Sequence, residues 1–256
     1  MASGTTLYPI LRGKGLYIVE GTPLLYHKPS STLIASDLHL GYEEAMARTG
    51  IFLPRLQLKR ALDVFRRVVP HVKPRKIIID GDIKHVYERA LKQEVSESLR
   101  LVEELRNMGV NEVVLVRGNH DTFISGPLKK ADVDVVEDYL DLGNGVMLAH
   151  GHRKVETDFE VLVMGHEHPA LQLDLGGARV KYPVFLLVPS ERGRLILVTP
   201  ALGVYQTGNP LTLDRNSYLS PIIREEAVIG EARPFISDSS VGVLPMPRLA
   251  DVLPQI

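Results

Sequence analysis

Cysteine and tryptophan are absent from this sequence of 256 residues. Without cysteine, the chain can form neither disulfides nor thiolate metal sites, and it offers no cysteine nucleophile. Long apolar runs are also absent. The first residues lack the basic start and apolar stretch of an export signal, and the longest apolar stretches, such as residues 184–188, have the length of a strand. We therefore expect a soluble, cytoplasmic protein with no membrane association.

Charge of one sign does not dominate either, because 30 lysines and arginines nearly balance 31 acidic residues and the net charge is -1. Such a balance does not indicate nucleic-acid binding by the whole molecule, although a local basic patch is compatible with it. Apolar residues make up 45% of the chain, which is enough for a substantial core. We predict one domain over residues 1–206 and a C-terminal extension, residues 207–256, packed on the same domain.

Short apolar runs alternate with helical repeats in the first half of the chain. They predict buried strands at 32–36, 76–79 and 112–116, with helices at 54–69 and 90–108. This order implies a largely parallel sheet covered by helices. The second half is rich in strand patterns, at 146–149, 161–164, 171–175, 180–188 and 194–198. We therefore predict a second, mostly antiparallel sheet and an α/β sandwich.

Seven of the nine histidines lie in five short polar clusters, and each cluster directly follows a predicted strand. The clusters contain Asp37 and His39; Asp82 and His85; Asn119, His120 and Asp121; His150 and His152; and His166 and His168. Loops at the carboxyl ends of strands in an α/β sheet meet at one rim, where ligands bind. Each motif alone is typical of a solvated loop or a turn, but five such motifs after five strands predict one shared site.

The residue types in these clusters suit a divalent metal. Carboxylates and imidazoles without thiolates favour Mn²⁺, Fe or Zn²⁺. Asp37 and His39 are two residues apart on an extended segment, so both can face one ion. A carboxylate such as Asp82 can bridge two ions. A pair of ions about 3.5–4 Å apart binds both the attacking and the leaving oxygens of a phosphate ester. His27 and His71 stand outside the clusters, and we interpret them as structural or surface residues.

The five motifs in this order resemble the signature of the calcineurin-like metallophosphoesterases, over roughly residues 32–170. The resemblance implies a four-layer β-sandwich flanked by helices, with two metal ions, most readily Mn²⁺, at the sheet rim. It also implies the ligand sets. The first ion would be bound by Asp37, His39, Asp82 and His168, and the second by Asp82, Asn119, His150 and His166.

The same resemblance implies a mechanism in which a hydroxide that bridges the two metals attacks phosphorus. His120 would stabilise the transition state or protonate the leaving oxygen, and Asp121 would orient His120. Protein phosphatases of this superfamily continue the second motif as Gly-Asp-x-Val-Asp-Arg-Gly, whereas this chain has His85 three residues after Asp82. This histidine resembles the one that positions the phosphodiester in the nuclease branch. The alternative is a loop histidine without a phosphate contact.

Further segments resemble the small archaeal SbcD/Mre11-related phosphoesterases and the bacterial ligase-associated DNA damage response endonucleases. These segments are residues 36–43, 150–152, 182–186 and 219–221. A homodimer is compatible with that group. Between Arg55 and Lys76 the chain also carries eight basic residues against one acidic residue, which predicts either a contact with nucleic-acid phosphates or an ordinary solvated helix. No aromatic stripe accompanies this segment, which argues against a dedicated single-strand groove.

Three functions follow from these observations. The first is a metal-dependent phosphodiesterase that acts on nucleic acid, in particular a DNA nuclease linked to repair. The second is a phosphodiesterase or phosphatase for small molecules such as cyclic nucleotides. The third is a non-catalytic metal-binding scaffold for repair proteins. The complete ligand set and His120 argue against the scaffold, because a scaffold needs no group that acts on a transition state.

Overall fold

The computed structural model describes residues 5–253 and contains two β-sheets. The strands of the first sheet follow the order of the chain: β1 (Leu7–Leu11), β2 (Leu16–Val19), β3 (Leu25–His27), β4 (Thr32–Ser36), β5 (Lys76–Asp80), β6 (Glu112–Val116) and β7 (Asp134–Val136). Pairing is antiparallel from β1 to β4 and parallel from β4 to β7. The parallel part confirms the predicted strands, and β1, β2, β3 and β7 were not predicted.

The second sheet has the order β14-β11-β12-β13-β10-β9-β8, and β15 adds to β12 and pairs with β16. These strands are β8 (Leu140–Gly143), β9 (Val146–Leu148), β10 (Val161–Met164), β11 (Pro169–Leu175), β12 (Ala178–Pro189), β13 (Leu195–Val198), β14 (Asn209–Pro210), β15 (Arg233–Asp238) and β16 (Gly242–Pro245). Most pairs are antiparallel, as predicted, but β10 lies parallel to both β9 and β13, and β14 lies parallel to β11. Gly176 and Gly177 form the predicted hairpin turn between β11 and β12.

Residues 5–253 contain six α-helices, and most of them cover the outer faces of the two sheets. They are α1 (Tyr42–Ala47), α2 (Gln57–Val72), α3 (Lys92–Asn107), α4 (Ser125–Lys130), α5 (Pro221–Glu226) and α6 (Leu249–Val252). The strand residues alternate as a period of two requires. On β4, Leu33 and Ala35 pack towards the helices, whereas Ile34 packs between the sheets. Helix, sheet, sheet and helix make four layers, which confirms the predicted fold class.

Helix α2 starts at Gln57, three residues later than predicted. The carboxylate of Glu43 on α1 accepts the N–H groups of Leu56 and Gln57, at 2.8 and 2.9 Å, and this satisfies donors that a helix start leaves free. The residue that caps α2 therefore lies on another helix, which a local sequence pattern does not reveal.

The described part of the segment from residue 207 joins the second sheet, because β15 pairs with β12. Ile222 and Leu249 pack from α5 and α6 into the core on the outer face of that sheet. The division of the chain into 1–206 and 207–256 stays a prediction, and its outer ends, residues 1–4 and 254–256, lie outside the described residues. None of the helices within residues 5–253 is both long and apolar enough to span a membrane.

Candidate metal centre

Five loops that leave strands β4, β5, β6, β9 and β10 bring the predicted ligands together at one rim of the sandwich. Backbone hydrogen bonds hold the first two loops in register. The N–H of Asp37 donates to the carbonyl of Gly81 at 3.2 Å, and the N–H of His39 donates to the carbonyl of Asp82 at 2.8 Å. Since these loops extend parallel strands, their side chains emerge at the same edge.

One group of possible metal ligands consists of Asp37, His39 and His168, whose donor atoms all lie within 4.8 Å of one another. The Nε2 atom of His168 is 3.1 Å from Oδ1 of Asp37, and the Nε2 atoms of His39 and His168 are 3.4 Å apart. Donor atoms of these types at such mutual distances are what a site for one cation requires.

A second group consists of Asp82, His150 and His166 and meets the same distance limit. The Oδ2 atom of Asp82 lies 3.4 Å from Nε2 of His150 and 3.9 Å from Nε2 of His39, which belongs to the first group. Asp82 therefore stands between the two groups. A carboxylate in that position is able to bind an ion on either side.

The backbone at these ligands is in an uncommon conformation. Asp37, His39, Asp82, His166 and His168 have φ values of 57°, 47°, 50°, 66° and 46°, in the left-handed region that residues with a Cβ atom rarely adopt. They are half of the ten non-glycine residues with positive φ in the described chain. Backbone strain that is concentrated in one place is typical of functional sites, where the surrounding structure enforces it.

Two glycines make room for the ligands. A Cβ atom on Gly81 would lie 2.1 Å from Nδ1 of His150, and one on Gly118 would lie 2.2 Å from Oδ1 of Asp82. Neither neighbour is the free end of a flexible side chain, because both are held in the site. Any other residue at these positions would displace a predicted ligand.

The orientation of His150 depends on Asp80, the last residue of β5. Nδ1 of His150 donates to the backbone carbonyl of Asp80 at 2.9 Å, which leaves Nε2 directed at Asp82. The side chain of Asp80 is fully buried, and burial raises its pKa to about 7. We did not predict this residue. The sequence signal for this residue is its acidic side chain at the end of an otherwise apolar strand.

Protonation of the histidines follows from burial and from the carboxylates. Burial lowers the pKa of His39 to about 3 and that of His166 to about 4, so both imidazoles are neutral near pH 7, as metal ligands must be. For His150, burial opposes protonation, but the carboxylates of Asp82, Asp37 and Asp80 together outweigh it and raise the pKa. For His168, burial also opposes protonation, and the carboxylates of Asp37 and Asp82 together raise the pKa. A cation that binds here would displace these two protons.

The donor set fits two divalent cations. The Oδ1 atom of Asn119, a predicted ligand, is buried and has no hydrogen-bond partner among residues 5–253. Buried polar atoms are almost always satisfied, so this unpaired acceptor fits a cation as its partner. Oxygen and imidazole donors without sulfur suit Mn²⁺, Fe or Zn²⁺.

His85 and His120 lie beside the ligands, with their rings stacked 5.7 Å apart at an interplanar angle of 19°. Nδ1 of His85 is 3.4 Å from Nδ1 of His39, and the backbone N–H of His120 donates to Oδ1 of Asp82 at 2.9 Å. Ring nitrogens of His39, His85 and His120 form a third group within 4.8 Å. The structure thus places His85 and His120 beside the two groups of predicted ligands.

Asp121 has a different role from the one we predicted. Its carboxylate, fully buried, accepts the backbone N–H groups of Asp82, Ile83 and Gly118 at 2.8, 2.9 and 2.8 Å. The ring of His120 is oriented instead by the backbone carbonyl of His85, which lies against its Nδ1 atom. Asp121 therefore supports the site by holding two loops together. It affects the position of His120 through the backbone and not by a contact with the ring.

Replacing Asp121 with asparagine is expected to lower the free energy of unfolding of the metal-free protein by about 1–3 kcal/mol. The amide would direct an N–H group at backbone donors and leave buried groups unpaired. Denaturant unfolding in a chelating buffer measures this effect. Asp238→Asn is the control, because that carboxylate also accepts N–H groups, from Ser240 and Val241, but from an exposed position. Equal losses in the two variants would contradict the role of Asp121.

Comparisons with known proteins identify the family and a shared fold. A family model described as Calcineurin-like phosphoesterase matches residues 30–174. No curated protein sequence matches the chain significantly. Among solved structures, the nuclease MPE from Pseudomonas putida is 21% identical, covers 94% of this chain and 100% of its own, and has a TM-score of 0.66. The E. coli phosphoesterase Yfce is also 21% identical, with 72% and 88% covered and a TM-score of 0.39. The first likeness establishes a shared fold.

Proposed function

The chain belongs to the calcineurin-like phosphoesterase family and is a metal-dependent hydrolase, and from this premise we propose that it cleaves phosphodiester bonds in nucleic acid, most directly DNA. The phosphoesterase chemistry rests on the family and on the clustered ligands. The nucleic-acid substrate rests on the place of His85 beside them.

We assign one ion to Asp37, His39, Asp82 and His168, and the other to Asp82, Asn119, His150 and His166. Two such ions, when bound, would polarise the phosphoryl oxygens and lower the pKa of the attacking water. The choice of Mn²⁺ is supported by carboxylate, amide and imidazole donors without thiolate. The carboxylates are buried and the imidazoles are hydrogen-bonded, so these donors are already in place before an ion binds. This lowers the free-energy cost of metal binding.

His120 would act on the phosphate through Nε2, because its Nδ1 lies against the carbonyl of His85 and donates there. Nε2 is 3.9 Å from Oδ2 of Asp82, on the side of the ligand cluster. To stabilise negative charge in the transition state or to protonate the leaving oxygen, the ring must carry a proton on both nitrogens.

The observation that carries the nuclease proposal is the position of His85. Its ring is stacked on His120 and contacts His39, so it lies at the edge of the same cluster. A phosphomonoester has one ester oxygen, whereas a diester has a second substituent that must lie beside the metals. His85 is placed to hold that second substituent. The Pseudomonas putida protein that shares the fold is a nuclease, which agrees with this assignment.

Basic residues near the site support the proposal only in part. Arg66 is paired with Glu104 at 2.8 Å and Lys76 with Glu112 at 2.6 Å, so these side chains belong to the ordinary helix and sheet surface. Arg66 and four other basic residues line a cleft of about 940 Å³ between α2 and α3, where these five basic side chains face two acidic ones. The basic residues of the cleft are Arg55, Lys59, Arg66, Lys92 and Arg100. Such a cleft suits a phosphate backbone.

Replacing His85 with alanine is expected to lower kcat/KM for phosphodiesters by about 10²-fold and for phosphomonoesters much less. The reason is that only a diester has the second substituent for His85 to position. Hydrolysis of bis-p-nitrophenyl phosphate and of p-nitrophenyl phosphate with Mn²⁺ measures the two effects. His71→Ala, at an exposed position on α2, is the control and should leave both rates unchanged. Equal losses on the two substrates would exclude a diester-specific role.

The substrate class is tested by incubating the protein and Mn²⁺ with single- and double-stranded DNA beside the two nitrophenyl esters. Cleavage of DNA and of the diester supports a nuclease. Cleavage of the diester without any effect on nucleic acid would favour a phosphodiesterase for small molecules, and no cleavage of any ester would favour the metal-binding scaffold. A homodimer, a role in repair and a cytoplasmic location stay predictions.

A further inference from the structure

Five aromatic rings form a continuous row along the rim that carries the metal ligands. Tyr205 is stacked on Tyr42 at 5.4 Å and 22°, and Tyr42 meets the edge of His85 at 4.6 Å. His85 is stacked on His120 at 5.7 Å, and Tyr87 meets His120 at 6.2 Å and 89°. We call these five residues the aromatic row. Its middle members are the two histidines that we place beside the scissile phosphate.

The row is held in place by contacts from several elements. The hydroxyl of Tyr205 donates to the carbonyl of Pro54, and the backbone N–H of His85 donates to Glu94 on α3 at 3.0 Å. Glu94 is itself fully buried. The rings are thus ordered before substrate arrives, which lowers the entropic cost of using them for binding.

The aromatic row is also open to solvent, which distinguishes it from packing inside a core. Tyr87 is 53% exposed, and the other four rings are only half-buried. An exposed series of aromatic rings next to a site for phosphate esters suits a ligand that carries flat rings on a phosphate backbone. Nucleobases meet this description, because any base stacks on an aromatic side chain regardless of its sequence.

We propose that the aromatic row binds nucleobases adjacent to the scissile phosphodiester, with Tyr42 and Tyr205 as the stacking residues on one side and Tyr87 on the other. This proposal rests on the proposed nuclease function. Both faces of a base within a duplex are already stacked on its neighbours. The aromatic row therefore binds bases that are not stacked within a duplex. It also determines which nucleotides of the strand lie close enough to the metals to be cleaved.

This feature could not be predicted from the sequence, which shows no aromatic stripe. Tyr42, Tyr87 and Tyr205 lie in three separate segments, at the start of α1, after β5 and after β13. Only the folding of the sandwich brings them into one series of ring contacts. The absence of an aromatic stripe concerns neighbours along the chain, whereas these three tyrosines come together only through the fold.

The test compares two single-stranded oligonucleotides of the same length, one of thymidines and one in which every base is replaced by an abasic tetrahydrofuran unit. Loss of the bases is expected to lower kcat/KM of the wild-type protein by about 10- to 100-fold. Tyr42→Leu should lower kcat/KM on the thymidine substrate by a similar factor, and should add little to the loss on the abasic one. Tyr42→Phe retains the ring and should stay close to the wild type.

The two proposals fail in different ways in this experiment. If the wild type cleaves the thymidine substrate and Tyr42→Leu lowers the rate on both oligonucleotides equally, the ring does not contact a base and the aromatic row is refuted alone. If the wild type hydrolyses bis-p-nitrophenyl phosphate but neither oligonucleotide, the nuclease function is refuted, and the row with it. Metal content by elemental analysis verifies each variant, and Tyr205→Leu provides a second variant that must give the same pattern.

Discussion

Replacing Asp82 with asparagine is expected to remove at least one of the two metal ions and to lower phosphodiesterase activity by about 10³-fold or more. The carboxylate stands between the two ligand groups, with Oδ2 at 3.4 Å from Nε2 of His150 and 3.9 Å from Nε2 of His39. An amide offers one neutral oxygen in place of two anionic ones, so it cannot bridge two cations. Metal catalysis contributes several kcal/mol, and about 1.4 kcal/mol corresponds to a factor of ten in rate.

Elemental analysis and hydrolysis of bis-p-nitrophenyl phosphate over a range of Mn²⁺ concentrations measure both effects. The control is Asp63→Asn, which removes a carboxylate that is 46% exposed on α2 and should change neither quantity. Circular dichroism establishes that the Asp82 variant is folded. A folded variant that still holds two ions with unchanged affinity would show that Asp82 is not the bridging ligand.

The parts of the fold that could be predicted are those whose sequence pattern is local. The strands at 32–36 and 112–116 are short apolar runs with a polar cluster after each, and both are confirmed. The N-terminal strands were missed. β3 is only three residues long, and the sequence does not reveal that it pairs with β2 on one side and β4 on the other. The start of α2 was missed because Glu43 caps it from another helix.

The candidate site also has some features that could be predicted from the sequence and others that could not. The meeting of the polar clusters at one rim could be predicted, because each cluster follows a strand and the strand direction decides where it emerges. The left-handed backbone of Asp37 and His168 could not be predicted, since it is imposed by neighbouring loops. The same holds for Asp121, whose three bonds join the backbone of two loops that are nearly forty residues apart.

Replacing His120 with alanine is expected to lower kcat by about 10²- to 10⁴-fold while the protein keeps close to two metal ions. The ring is oriented by the carbonyl of His85 and faces Asp82 through Nε2, beside both ligand groups. The rival hypothesis is that His120 binds a metal, because its nitrogen lies within 4.8 Å of those of His39 and His85. Loss of an ion in this variant, measured by elemental analysis, would overturn the catalytic assignment.

Substrates with different leaving groups distinguish between the two catalytic roles of His120. If it protonates the leaving oxygen, His120→Ala should slow the hydrolysis of esters with a poor leaving group, such as an alkyl alcohol, far more than that of p-nitrophenyl esters, whose leaving group needs no proton. If it stabilises the charge on the transferred phosphoryl group, both kinds of ester should lose activity by the same factor. The dependence of the rate on the pKa of the leaving group, compared between wild type and variant, measures this difference. A steeper dependence in the variant identifies proton donation, and parallel dependences identify charge stabilisation.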